Sequence, residues 1–91
     1  GDATPPRPEL RAVDPNPAGD GGRITFALPA AAMVRIVLVD VAGRQVAKLH
    51  EGPCASGLHT VAWTRGGLPR GVYLVRLEAG DASSVRKLVL R

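Results

Sequence analysis

Cysteine is nearly missing from this sequence, where Cys54 stands alone. One thiol forms no internal disulfide, which excludes a disulfide-stapled mini-domain and the cystine-pinned kind of β-sandwich. Aromatic residues are almost as scarce: Phe26, Trp63 and Tyr73 are all there are. Proteins that stack bases or sugars on exposed rings draw on a larger supply. No apolar run approaches the roughly 18 residues of a membrane-spanning helix. No signal peptide or lipid box is visible either, so any export signal at an N-terminus is expected to lie outside these 91 residues.

Chemistry-bearing constellations are equally thin. His50 and His59 are the only histidines, and no Ser/His/Asp, HExxH or CxxC arrangement occurs. Asp14, Asp20, Asp40 and Asp81 fall at turns without the alternating Asp spacing of a calcium loop. Cys54 reads as an incidental small residue in a Gly/Pro/Ser loop from Glu51 to Gly57. The expectation is a non-enzyme with no catalytic, cofactor-binding or metal residues and no small-molecule substrate. Basic residues outnumber acidic ones 12 to 8, for a net charge of +4. That balance permits anionic partners such as nucleic acid or lipopolysaccharide. The bases are scattered, however, from Arg7 through Arg76, and cluster only at Arg86, Lys87 and Arg91. With no recognition helix and no interleaved aromatics, they read as solvated side chains on a protein that binds no nucleic acid.

What the chain does contain is 13 Ala, 11 Val and 10 Leu, punctuated by 19 Gly and Pro residues. Ninety-one residues make one domain. Gly1 to Pro8 holds three prolines and no periodic pattern, which reads as an extended linker, 1–8, on a module expected to be joined to a larger protein. Glu9 to Val13 is a first short run, closed by Asp14-Pro15-Asn16-Pro17, where two prolines forbid a helix. Arg23 to Leu28 alternates, with Ile24, Phe26 and Leu28 on one face. Met33 to Asp40 is too rich in Val and Ile for a helix and apolar on both faces, as in a central strand. Arg44 to His50 returns from the tight turn at Gly43. Gly57 to Trp63 and Gly71 to Ala79 alternate again. In Ser83 to Leu90, Val85, Leu88 and Val89 also fit helical spacing, but a two-residue turn directly after a strong strand favours a hairpin. The sum is an all-β, seven-stranded antiparallel immunoglobulin-like β-sandwich over residues 9–91.

The order of motifs carries a resemblance. Leu10-x-x-x-x-Pro15-Asn16-Pro17 precedes Ile24-Thr25-Phe26-x-Leu28-Pro29. Val34-x-Ile36-x-Leu38-x-Asp40-x-x-Gly43-Arg44-x-Val46 follows. Then come Gly57-x-His59-x-Val61-x-Trp63, Gly71-Val72-Tyr73-x-Val75-x-Leu77 and Lys87-Leu88-Val89-Leu90. This resembles the C-terminal sorting domain of bacterial type IX (Por) secretion cargo and is similar to the related flagellar-hook-capping (FlgD) immunoglobulin-like domain. The short loop between Trp63 and Gly71 looks more like the sorting group, while the Arg/Ala-rich composition departs from the Lys/Asn-rich sequence usual there.

The resemblance implies a secreted or cell-surface location, a cargo fused at the N-terminal side, and recognition by outer-membrane secretion machinery. It also implies removal by a sortase-like peptidase and attachment of the cargo at the cell surface. Within that reading, the last strand is an open edge that a partner can extend, and Arg86, Lys87, Leu88, Val89, Leu90 and Arg91 form the candidate recognition surface. Pro15, Asn16, Pro17, Asp40, Gly43, Trp63, Gly71 and Tyr73 are read as folding determinants. Trp63 and Tyr73 are expected in the core, each with a partner for its polar tip, which argues against carbohydrate binding. The alternative is a structural or adhesive spacer that self-associates, through an open sheet edge, into extracellular filaments.

Overall fold

A computed structural model describes residues 6–91; the rest of the linker read at 1–8 lies outside the described residues. Seven strands follow one another: β1 (Glu9–Asp14), β2 (Gly21–Leu28), β3 (Ala32–Val39), β4 (Gln45–Cys54), β5 (Gly57–Thr64), β6 (Gly71–Ala79) and β7 (Ala82–Leu90). They form two antiparallel sheets, one ordered β1-β2-β5 and the other β4-β3-β6-β7. This is an immunoglobulin-like sandwich in which the fourth strand pairs with the third instead of joining the first sheet. The apolar run in β3 is central, as its two-faced pattern predicts. The last run is a strand because Gly80, at φ +58°, takes the first position of a two-residue hairpin turn between Ala79 and Ala82.

Period-two alternation decides which side chains fill the space between the sheets. Ile24, Phe26 and Leu28 from β2 meet Val34, Ile36 and Leu38 from β3, and Val75 and Leu77 from β6. All are almost fully buried, as are Leu10 on β1 and Leu88 and Leu90 on β7. Each such side chain contributes about 1.5–3 kcal/mol of burial. Trp63 and Tyr73 are in the same cluster, each 5% exposed. Tyr73 finds its partner: its hydroxyl donates to the Pro69 carbonyl at 2.6 Å, four residues upstream, as in the tyrosine corner of immunoglobulin-like folds. Trp63 does not, for its buried indole N–H has no hydrogen-bond acceptor among the described residues.

Two glycines that the sequence leaves unremarked set the distance between strands. A Cβ at Gly22 would overlap the carbonyl oxygen of Asp14, and one at Gly21 the carbonyl oxygen of Trp63. Only a residue without a side chain lets β2 run this close to the ends of both its neighbours. Gly71 needs glycine for its backbone conformation. Its nearest neighbour would be the Tyr73 ring at 4.0 Å, so space is available, and its φ of +153° is the reason for glycine.

Candidate recognition surface at the last strand

The side chains of β7 divide by parity. Leu88 and Leu90 point into the core at 0% and 1% exposure, so they cannot belong to a recognition surface in the folded domain. Lys87 and Arg91 are exposed and Val89 is half-buried, all on the opposite side. Arg86 is exposed but engaged: its Nε donates to the Leu10 carbonyl at 3.1 Å, while the Leu10 amide donates to Ser84 Oγ at 3.1 Å. These two contacts, both made by β7 side chains, hold β1 beside the first half of β7.

The second half of the β7 edge is occupied, contrary to the open edge expected. Both the Asp14–Pro15 and Asn16–Pro17 peptide bonds are cis. Between them, the Asn16 side chain acts as a substitute strand. Its Oδ1 accepts from the Val89 amide at 3.0 Å and its Nδ2 donates to the Lys87 carbonyl at 2.8 Å. Ala18 continues the ladder, donating to the Val89 carbonyl at 2.8 Å and accepting from the Arg91 amide at 3.0 Å. Ala18 and Leu90 thus form a short parallel bridge. Arg65 locks the same corner, donating to the carbonyls of Leu68, Gly19 and Arg91 at 2.8, 3.2 and 2.6 Å. The Pro15-Asn16-Pro17 motif therefore closes the edge of the C-terminal strand as well as ending β1.

The outer face of the four-stranded sheet has a polar half and an apolar half. In the polar half, Arg35 bridges Glu78 Oε1 at 3.2 Å and Gln45 Oε1 at 2.6 Å, and Arg76 pairs with Glu78 at 3.0 Å. Val37, opposite Arg76 in the register, is fully buried although it points away from the core. In the apolar half, Val72 stands opposite Val89, Leu74 opposite Lys87, and Arg76 opposite Val85. Val72, Leu74 and Val85 are 44%, 37% and 50% exposed, which is high for large apolar side chains grouped on one sheet face.

The remaining sequence-selected residues lie elsewhere. Asp40 Oδ1 accepts from the amides of Ala42 and Arg44, both at 2.9 Å, and Oδ2 pairs with Arg44 Nε at 3.0 Å. The Arg44 amide, more than any other contact, holds the Asp40 carboxyl below the ordinary carboxylate range. Gly43 closes this turn with φ +86°. The Lys48 ammonium, bonded to Glu51 at 2.7 Å, lowers the Glu51 carboxyl likewise. Cys54 is not in a loop but is the last residue of β4, in register with Ala32. The strand brings His50 Nε2 within 3.5 Å of its Sγ. His59 stacks on Phe26 at 5.2 Å between ring centroids and donates from Nε2 to the Ala55 carbonyl at 2.7 Å. Among the described residues no three His, Cys, Asp or Glu side chains are grouped to hold a metal ion, and no helix is long and apolar enough to cross a membrane.

The family model for the secretion system C-terminal sorting domain matches residues 12–91, from within β1 through the whole of β7. The chain belongs to this family. Its members are the sorting domains of bacterial type IX secretion, so the domain is a type IX sorting signal of a secreted, cell-surface protein. As a sorting domain it interacts with the type IX secretion machinery. No curated protein matches the chain. The match spans both halves of the network described above: the Asn16 segment and the β7 strand that it covers lie inside the sorting domain.

Proposed function

We propose that residues 9–91 travel as a folded, non-catalytic address behind a cargo joined through the linker at 1–8. After passage, a sortase-like peptidase cuts between the two and attaches the cargo to the cell surface. The observation that supports this reading is the family match across nearly the whole sandwich, together with the absence of catalytic groupings from the sequence. Within the C-terminal segment, Lys87, Val89 and Arg91 are the side chains a partner can reach, and Arg86 braces the strand beside them. The test is a fusion of residues 1–91 behind a reporter in a type IX-competent host. The reporter is expected at the cell surface, cleaved from the domain. Retention of the intact fusion in the periplasm would overturn the reading.

A second reading, self-association of a spacer module, is favoured by β5. This strand keeps eight consecutive register pairs with β2 without a bulge and carries no Asp, Glu, Lys, Arg or Pro. Light scattering across a concentration series tests it. A strict monomer at high concentration removes it.

A further inference from the structure

A sorting domain must be read from outside, and the structure narrows how. Strand addition to β7 is the mode its position suggests, yet β1 lies beside its first half, bonded to the Ser84 and Arg86 side chains, and Asn16 and Ala18 pair with the backbone of the second half. β4, at the far edge of the same sheet, is irregular. Two register shifts place extra residues at Leu49 and Val46, and Pro53, Lys48 and Glu51 further blunt it. Neither end of the four-stranded sheet offers a clean row of free amides. What the terminal hairpin does offer is its outer face.

We propose that the secretion machinery recognises this domain through the outer face of the β6–β7 hairpin, formed by Val72, Leu74, Val85, Lys87 and Val89, and not by adding a strand to β7. This rests on the type IX reading above. The face joins exposed apolar side chains on two registered strands, with Val72 beside Val89 and Leu74 beside Lys87. Its charges identify the partner. Glu78 is the one acidic residue within β6 and β7, where Arg35 and Arg76 hold it, and Glu51, opposite Arg35 on β4, is bonded to Lys48. Lys87 makes no side-chain bond to the described residues, and Arg70 and Arg91 flank the end of the hairpin where Gly71 meets Leu90. The fitting occupant is a protein surface with an apolar centre and carboxylates around it. Complementary charge steers encounter, and a few apolar anchors supply the affinity.

The experiment compares reporter fusions of the full chain in a type IX-competent host. Variants are Leu74→Glu with Val72→Glu, Lys87→Glu alone, and Leu58→Glu as a control on the other sheet, where Leu58 is 67% exposed. Each purified domain is also melted. Lys87→Glu changes an exposed side chain with no bond to lose, so it tests the face even where the double variant melts early. Export of the Lys87→Glu and double variants is expected to fall by about tenfold or more, the scale of losing an interface anchor. Leu58→Glu is expected to match the parent. Wild-type export of a face variant that melts like the parent would overturn the proposal while leaving the sorting role intact. Failure of the parent fusion itself to be exported would instead overturn the reading beneath it. Binding of the face to anionic lipid vesicles, with normal export of the variants, would reassign it to a membrane surface.

Discussion

Asn16 and Val89 are hydrogen-bonded at 3.0 Å although 73 residues separate them. A side-chain amide carries both groups of a peptide unit, an acceptor oxygen and a donor nitrogen, in one plane. Asn16 uses both on the backbone of β7, at Val89 N and Lys87 O. A proline on each side holds the residue in a turn where its own backbone cannot continue β1. The start and the end of the sandwich are thereby stitched together.

Asn16→Ala is expected to cost about 1–2 kcal/mol, the loss of two hydrogen bonds of ordinary net strength. Asn16→Asp retains the acceptor for Val89 but loses the donor to Lys87, and should fall between. Urea unfolding gives the free energies, and hydrogen exchange at the Val89 amide should quicken in Asn16→Ala. An unchanged Val89 exchange rate would show that the contact does not protect the strand.

Gly22→Ala is expected to destabilise the domain by about 2–4 kcal/mol, because the added methyl group meets backbone, which cannot rotate away. Gly19→Ala is the matched control. Its Cβ meets nothing within 4 Å, so its cost should stay within about 0.5 kcal/mol. Equal melting temperatures for the two variants would contradict the close approach of β2 to Asp14.

Tyr73→Phe keeps the buried ring and removes the bond to Pro69. The Pro69 carbonyl then loses a partner at the loop that leads into Gly71 and β6. A cost of about 1–2 kcal/mol is expected by denaturant unfolding. Trp63→Phe, by contrast, removes no protein hydrogen bond, so its penalty should come from lost ring volume alone.

Acid should weaken the fold partly through Asp40. Its carboxyl ionises more readily folded than unfolded because the Arg44 amide bonds to the charged form. A lowered folded pKa contributes stability that is fully present above the unfolded value and is lost as pH falls through the folded one. The loss should begin near the ordinary Asp range and finish below it. Asp40→Asn should flatten that part of a stability-versus-pH curve, measured by unfolding the two proteins side by side. Parallel curves would show that the turn contributes nothing to acid sensitivity.

Much of the sandwich is readable in the sequence because burial on one face of a strand imposes a period of two. The run Ile24, Phe26 and Leu28 and the run Tyr73, Val75 and Leu77 state both the element and its inward face, and all six are buried. Gly43 and Gly80 mark hairpins because few other residues accept positive φ. The candidate recognition surface is only half legible. Lys87 and Arg91 are exposed as basic residues usually are, but Leu88 and Leu90 follow the same alternation into the core. Cys54 looked like a loop residue because Gly52 and Pro53 precede it, yet pairing with β3 carries the strand past them.

Local pattern determined the strands, their inward faces and the family they spell out, since each rests on neighbours a few residues apart. Pairing between distant segments was decided only by the tertiary structure. That Asn16 reaches Val89 and that Arg65 holds the Arg91 carbonyl depend on where the two sheets meet. A hydrogen bond across 73 residues leaves no periodicity in the chain, because its geometry is set by the packing of everything between.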